Sequence, residues 1–115
     1  MILAVTDDLI FGERIAVVAR AIGVEATVQR GEESLPGGTG GEQRISRCLV
    51  DLNGAGDEPL AVVRRLRAAL SGVPIVGYCS HAQRELAEQA LAAGCDEVLP
   101  RSQFVARLPE LMRSP

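Results

Sequence analysis

Residues 48–56 read CLVDLNGAG, an apolar run that ends in an acidic residue and a glycine-rich turn. A short apolar run bounded by turn residues is typical of a strand that is buried on both faces of a sheet. A second run of this kind, ILAV at residues 2–5, ends in Thr6, Asp7 and Asp8. Two buried strands are therefore predicted to carry carboxylates at their ends.

Helical patterns follow both of these strands. The first helix is predicted to follow the acidic loop that ends at Asp8, with Gly23 as its C-terminal stop. Its inward face is expected to carry Phe11, Ile15, Val18 and Ile22. The second is expected to be capped by Asp57, with Pro59 in its first turn and Gly72 as its end. The apolar stripe of this second helix consists of Leu60, Val63, Leu66 and Leu70.

The rest of the chain repeats the alternation. Further strands are predicted over 24–29, 74–77 and 96–99, the first of them half-buried at a sheet edge. A capping box at Ser80 and Gln83 is expected to open a helix that runs to Gly94, with Leu86, Ala90 and Ala93 facing the sheet. Ser102 is expected to cap a last helix that carries Phe104, Leu108 and Leu111 and that Pro109 kinks or shortens.

Residues 30–44 read RGEESLPGGTGGEQR and interrupt the alternation. They offer no apolar face long enough for a stable helix, so a flexible loop is expected where a helix would otherwise stand. The GGTGG segment lacks the lysine and the strand-to-helix context of a phosphate-binding loop.

Alternating strands and helices predict an α/β fold, an open, doubly wound parallel sheet of five strands. The 115 residues are expected to form a single domain, 1–115. In such sheets the functional crevice lies at the carboxyl ends of the strands. The residues predicted at that edge are Asp7, Asp8, Asp51, Cys79, Ser80 and Arg101.

Composition narrows the class of protein. The net charge of -3 argues against a nucleic-acid partner, and no apolar run is long enough to span a membrane, so a cytoplasmic protein is expected. The three cysteines have neither disulfide nor zinc spacing, and Cys48 and Cys95 are expected in the core. The chain contains no lysine, which excludes Schiff-base chemistry on a side chain.

Asp7, Asp8 and Asp51 are expected to converge, because neighbouring parallel strands end at one edge. Mutual repulsion of three carboxylates is relieved by a divalent cation such as Mg²⁺, and Asp51 beside that ion is a candidate nucleophile toward a phosphoryl group. Taken singly, Asp51 is an ordinary turn residue and Asp8 an ordinary helix cap.

These motifs resemble the receiver domains of two-component response regulators, over nearly the whole chain. The resemblance aligns Asp7 and Asp8 with the family's metal-binding pair, Asp51 in LVDLNGAG with its phosphoacceptor, and Asn53 with the residue whose carbonyl helps to hold Mg²⁺. AAGCDEVLPRSQF is also similar to a family motif. The resemblance implies a CheY-like, flavodoxin-like strand order of 2-1-3-4-5, with the second helix eroded or replaced by the glycine-rich loop.

Several positions depart from the family pattern. Cys79 stands where a threonine or serine is expected, with Ser80 one residue on, and its thiol is a poor donor to a phosphoryl oxygen. Arg101 replaces a lysine, and Ser102 replaces the proline that follows it. Val98 replaces the switch aromatic, so the machinery that responds to phosphorylation is degenerate at Cys79, Arg101 and Val98.

The sequence therefore predicts an atypical receiver-like signalling module, not an enzyme, in which phosphorylation of Asp51 is absent or non-standard. The alternative is a functional single-domain response regulator that a histidine kinase phosphorylates on Asp51 with Mg²⁺. Expected partners are proteins, either a histidine kinase or a downstream effector, and a homodimer is compatible with the pattern. The surface residues considered for contact are Arg84, Glu88, Arg107 and Met112.

Two enzyme readings fit the residues less well. A flavodoxin-like cofactor domain conflicts with the negative charge of Asp7 and Asp8 where a phosphate would bind. Catalysis by Cys79 and His81 is disfavoured, because a buried thiol beside an exposed imidazole is the more common arrangement.

Overall fold

The structure is a computed structural model that describes residues 1–31, 45–56 and 58–113. Within these ranges five strands alternate with four helices. The strands are β1 (Ile2–Val5), β2 (Ala26–Gln29), β3 (Arg47–Asp51), β4 (Ile75–Cys79) and β5 (Glu97–Pro100). The helices are α1 (Leu9–Ile22), α2 (Pro59–Ala69), α3 (Arg84–Ala93) and α4 (Arg101–Arg113). Asp57 lies outside the described residues. So do residues 32–44, which make up most of the loop expected over 30–44 in place of the second helix.

The strands form one parallel sheet in the order β2-β1-β3-β4-β5, as the sequence predicted. β2 is the edge strand expected from its alternating pattern, and its residues are only half-buried. β1 and β3 are fully buried in the middle of the sheet, and their register places Val5 opposite Val50. The residue that follows β1 therefore comes level with Asp51, which ends β3.

Two separate cores cover the two faces of the sheet. Alternate residues of each strand face α1 and α4, where Ile2, Leu49 and Val76 join Phe104 and Leu108. The remaining strand residues face α2 and α3 in a second cluster that includes Leu3, Val50, Val63, Leu66 and Ala90. Helices on both faces complete the doubly wound architecture.

Helix α1 begins and ends as predicted. Its first turn is capped by Asp8, whose Oδ1 accepts a 3.0 Å hydrogen bond from the backbone N–H of Phe11. Gly23 ends the helix with a φ of 75°, a left-handed conformation that favours glycine. Phe11 and Ile15 are buried on its inner face, while Ile22 is partly buried.

The expected start of α4 and the expected end of α2 were wrong. α4 begins at Arg101 and not after a cap at Ser102, and it continues through Pro109 to Arg113. The buried Leu108 and Leu111 on either side of this proline offset the cost of about 3 kcal/mol that an interior proline carries. α2 ends near Leu70, before the left-handed Gly72 that was expected to close it.

The start of α3 was also mispredicted. Gln83 precedes the helix and Oε1 of its side chain accepts from the backbone N–H of Ser80, as in a capping box. The Ser80 hydroxyl instead contacts Asn53 Oδ1, and the N–H of Gln83 donates to the Ser80 carbonyl. Ser80 and Gln83 therefore lie at the two ends of a turn, and α3 starts only at Arg84.

Candidate functional site

Four side chains form a row along the carboxyl edge of the sheet. Thr6 follows β1, Asp51 ends β3, Tyr78 lies opposite Asp51 in β4, and Arg101 follows β5. All four lie on the face covered by α1 and α4. Side chains two residues apart along a strand share a face. Ala4, two residues before Thr6, belongs to the core beneath α1 and α4, so Thr6 lies on that face.

Asp51 is the centre of this row and is almost completely buried, with 1% exposure. Its Oδ1 accepts a 2.9 Å hydrogen bond from the backbone N–H of Asn53. Its Oδ2 accepts a 2.8 Å hydrogen bond from the Thr6 hydroxyl. Each carboxylate oxygen is therefore already hydrogen-bonded, which is what a buried charge requires.

Arg101 joins the row to the first helix. Its Nη2 lies 3.8 Å from Asp51 Oδ2 and its Nη1 lies 3.9 Å from Asp8 Oδ2. The guanidinium carbon is 4.8 Å from the centre of the Phe11 ring and 5.8 Å from that of Tyr78. Arg101 thus contacts two carboxylates and two aromatic rings at once.

Asp7 faces a different part of the site. Its Oδ1 accepts a 2.9 Å hydrogen bond from the backbone N–H of Gly31, and its Oδ2 accepts a 3.1 Å bond from that of Gly56. Its own N–H donates to the Gly54 carbonyl. Asp7 therefore links the residues after β2 to the loop after β3.

A network of amide and hydroxyl groups joins the loops after β3 and β4. The Asn53 amide nitrogen donates to Gln83 Oε1 at 2.7 Å, and the Ser80 backbone N–H donates to Asn53 Oδ1 at 2.8 Å. The Asn53 backbone also holds Asp51 Oδ1. Asn53 therefore connects Asp51 directly to the turn that precedes α3.

Tyr78 contributes a buried hydroxyl beside Asp51. Its ring is fully buried and stacks on Phe104, with ring centres 4.0 Å apart. Among the described residues the hydroxyl has no partner in hydrogen-bonding geometry. Burial raises the pKa of Tyr78 and the charge of Asp51 raises it further, while Thr6 and Arg101 lower it to a smaller extent. Tyr78 therefore keeps its proton at neutral pH.

Cys79 lies in the other core, away from the row. It packs with the cluster beneath α2 and α3 and is 3% exposed. Burial raises the pKa of its thiol, and the charge of Asp51 adds to the effect. The neighbouring His81 is exposed, as predicted for a thiol and an imidazole that do not act together. Cys79 and Val98 line a small cavity of about 80 Å³ between α3 and β5.

The predicted set of metal ligands does not meet at one point. The described residues contain no group of three histidine, cysteine or acidic side chains arranged to hold a metal ion. Carboxylate oxygens are the right ligands for Mg²⁺, but Asp7 faces Gly31 and Gly56 while Asp8 and Asp51 are bridged by Arg101. Of the three carboxylates expected to converge, Asp8 and Asp51 both lie within 3.9 Å of Arg101, and Asp7, Asp8, Asp51 and Asn53 remain a prediction as metal ligands.

Sequence reasoning missed Thr6 and Tyr78. The carboxylates of Asp7 and Asp8 drew attention away from Thr6, although counting by twos along β1 places residue 6 on the face that Asp51 occupies. Tyr78 immediately precedes the position expected to carry the switch hydroxyl, and strand alternation sends the two side chains to opposite faces. That alternation is the signal that could have identified both.

Comparison with known proteins gives a clear result at the level of structure only. No protein-family model and no curated protein matches the chain in sequence. A CheY-like receiver domain protein from Methanospirillum hungatei superimposes with a TM-score of 0.78 at 17% identity, covering 96% of this chain and 91% of that one. The receiver domain of a sensor histidine kinase from Pseudomonas aeruginosa, with magnesium in its active-site cleft, gives 0.72 at 23% identity and covers 98% and 97%.

A third similar structure is a Burkholderia pseudomallei response regulator with a phosphorylated aspartic acid and a calcium ion. It has a TM-score of 0.74 at 19% identity, and the match covers 96% of this chain and 69% of that one. At these identities the likeness establishes the fold, which is the CheY-like arrangement that the sequence predicted. Among the described residues no helix is long and apolar enough to cross a membrane, and the cytoplasmic location stays a prediction.

Proposed function

We propose that this chain is an atypical receiver-like signalling module that acts by binding another protein and not by catalysis. In this proposal phosphorylation of Asp51 is absent or follows a non-standard route. The fold of the similar structures supports a role in two-component signalling, and the arrangement around Asp51 supports the atypical part.

The observation that carries the proposal is the occupancy of the Asp51 carboxylate. A nucleophile must present a free lone pair in line with the phosphorus atom, on an oxygen that the incoming group can reach. Asp51 is 1% exposed, and its two oxygens accept hydrogen bonds from Asn53 and Thr6. Burial to this extent hinders the approach of a phosphodonor, and hydrogen bonds to both oxygens lower the nucleophilicity of the carboxylate.

The protein partner is a histidine kinase or a downstream effector, and the described surface narrows where it can bind. Arg84 and Glu88 are exposed on α3 and available for contact. Arg107 pairs with Glu97 at 2.9 Å, and Met112 belongs to the core with 4% exposure. The expectation that Met112 contributes to a binding surface was therefore wrong.

A functional response regulator is the second candidate. It is favoured by Asp51 and Arg101, which lie within 3.8 Å of each other at the edge where the resemblance aligns a phosphoacceptor and its basic partner. The phosphorylated aspartate and the bound ions of the similar structures suggest the same chemistry. In that case Mg²⁺ would serve as the cofactor.

Treatment with acetyl phosphate and Mg²⁺, followed by intact-mass analysis, distinguishes the atypical module from the functional response regulator. The atypical module should show no stoichiometric phosphoryl adduct in the wild-type chain. An adduct that forms in the wild type and in Glu88→Gln but not in Asp51→Asn would establish the second candidate instead. Glu88 is the matched control because its carboxylate is exposed and far from the row in sequence.

A further inference from the structure

We propose that Arg101 is the built-in cation of this site and takes the place of the divalent ion that a receiver-like site would hold. The inference goes beyond the proposed function, because it concerns how the acidic cluster is neutralised and not which protein is bound. It rests on the arrangement of carboxylate oxygens and donors at the carboxyl edge.

The guanidinium has the reach and the shape for this role. It is planar and always charged, and its two terminal nitrogens point to carboxylates on different elements, Asp8 before α1 and Asp51 at the end of β3. A Mg²⁺ ion would need those oxygens about 2.1 Å from a single point. Arg101 instead bridges oxygens at 3.8 and 3.9 Å, so the carboxylates do not have to approach each other.

The guanidinium packs over a cluster of aromatic residues. Phe11, Tyr78 and Phe104 contact one another, with ring centres 4.0 to 5.9 Å apart. Arg101 stands over the rings of Phe11 and Tyr78. A delocalised, weakly hydrated cation is suited to an aromatic surface, where the faces of the rings attract it. A compact ammonium group would be less suited to bridging two carboxylates while also stacking on the rings of Phe11 and Tyr78.

Backbone groups satisfy the remaining acidic residue. Both Asp7 oxygens accept N–H groups, from Gly31 and from Gly56. Gly31 packs so closely that a side-chain carbon added to it would collide with the Ala55 carbonyl carbon. Asp8 Oδ1 is likewise committed to the Phe11 N–H. Each oxygen of the three carboxylates thus has a donor or a cation from the chain itself.

The test is titration of the full chain with Mg²⁺ alone by calorimetry, and with Mn²⁺ by paramagnetic broadening of backbone amide signals. The variants are Arg101→Ala and Arg101→Gln, and the glutamine variant retains a long planar side chain in case alanine weakens the fold. Arg107→Ala is the matched control, because it removes the same charge from the same helix where Arg107 pairs with Glu97.

The wild type and Arg107→Ala are expected to show no broadening that is localised around Asp8 and Asp51. At least one Arg101 variant should show localised broadening around Asp8 and Asp51 and an overall Mg²⁺ affinity at least about tenfold above the weak, unlocalised binding of the wild type, because loss of an adjacent positive charge leaves two carboxylates to be neutralised. Localised binding in the wild type would overturn the inference, as would Arg101 variants that bind no better than Arg107→Ala. The proposed function fails by a different measurement, the appearance of an Asp51 adduct.

Discussion

The Thr6 hydroxyl donates a 2.8 Å hydrogen bond to Oδ2 of Asp51, across 45 positions of the sequence. Both residues are buried, with 2% and 1% exposure. A buried carboxylate depends on such donors, because transferring a charge out of water without compensation is costly. The Thr6 hydroxyl is therefore one of the hydrogen-bond donors that stabilise the buried charge of Asp51.

Replacing Thr6 with valine should lower the free energy of unfolding by about 1.5–3 kcal/mol, the usual contribution of a hydrogen bond to a charged group. Valine has nearly the same shape, so the loss reports the hydroxyl. Urea unfolding at neutral pH measures it. Thr27→Val is the matched control, because within the described ranges the Thr27 hydroxyl donates only to the sulfur of Met1, and a much smaller effect is expected. Equal losses in the two variants would contradict the assigned role of Thr6.

Replacing Tyr78 with phenylalanine should leave stability unchanged or raise it by up to about 1 kcal/mol, since it removes a buried hydroxyl that lacks a partner among the described residues. Ring stacking on Phe104 is preserved in the variant. Thermal and urea unfolding provide the measurement. A loss of stability above about 1 kcal/mol would mean that the hydroxyl is hydrogen-bonded in solution, with Thr6 or Asp51 as the nearest candidates.

Replacing Arg67 with alanine should destabilise the fold by about 2–3 kcal/mol. Its Nε and Nη2 donate to the Gly94 carbonyl at 3.1 and 2.8 Å, its Nη1 donates to the Val73 carbonyl at 3.0 Å, and Nη2 also contacts Asp96 at 2.7 Å. Arg64→Ala changes an exposed arginine of the same helix and should cost no more than about 0.5 kcal/mol. If the two variants lost similar stability in chemical denaturation, the hydrogen bonds of Arg67 to Gly94, Val73 and Asp96 would not be the source of the loss.

Stability should decrease as the pH rises above about 9. Burial raises the pKa of the Cys48 thiol to about 12 and that of Cys95 to about 11, from an ordinary value of 9.0. The unfolded chain releases these protons near pH 9 and the folded chain retains them, so each thiol lowers the free energy of unfolding by up to about 1.4 kcal/mol per pH unit until its folded pKa is reached. Below pH 9 neither thiol contributes a pH dependence.

Urea titrations at about pH 8 and about pH 10 would measure this slope. A variant with Cys48→Val and Cys95→Ala should show a flatter dependence, even if its stability at pH 8 is lower. An unchanged slope in that variant would assign the effect to other groups.

Replacing Asn53 with alanine should loosen the turn before α3, because it removes the links from Asn53 to Ser80 and Gln83. Faster hydrogen exchange is expected at the amide of Ser80 and in the first turn of α3, while α1 should be unaffected. Gln89→Ala, at an exposed position later in α3, is the control and should leave exchange in that turn unchanged. Uniform acceleration across the sheet would show general destabilisation instead.

The fold was predictable because its strands have a regular pattern of burial. The short runs ILAV and CLVD predicted buried strands, and the alternation of residues 24–29 predicted a half-buried strand at an edge. Helix starts were less predictable, since the capping signals at Ser80 and Ser102 are local while the outcome depends on distant partners. Asn53 contacts the Ser80 hydroxyl, and β5 leads directly into α4 before Ser102 is reached.

The site was predictable in position but not in its connections. Parallel topology places Asp51 and Arg101 at one edge whatever their side chains do. Which donors hold Asp51 depends on strand register and on side-chain direction, and neither can be read from the spacing of acidic residues. The two central residues that were missed, Thr6 and Tyr78, carry no charge at neutral pH, so only strand alternation, and not the pattern of charged residues, indicates their place beside Asp51.

The gathering of aromatic residues beneath Arg101 makes the chain its own spectroscopic probe. Its one tyrosine and two phenylalanines all lie in that cluster, and it contains no tryptophan. Near-ultraviolet circular dichroism and tyrosine emission therefore arise from a single place, immediately beside Asp51. A change at this carboxylate can be followed in the unlabelled protein, without background from any other aromatic side chain.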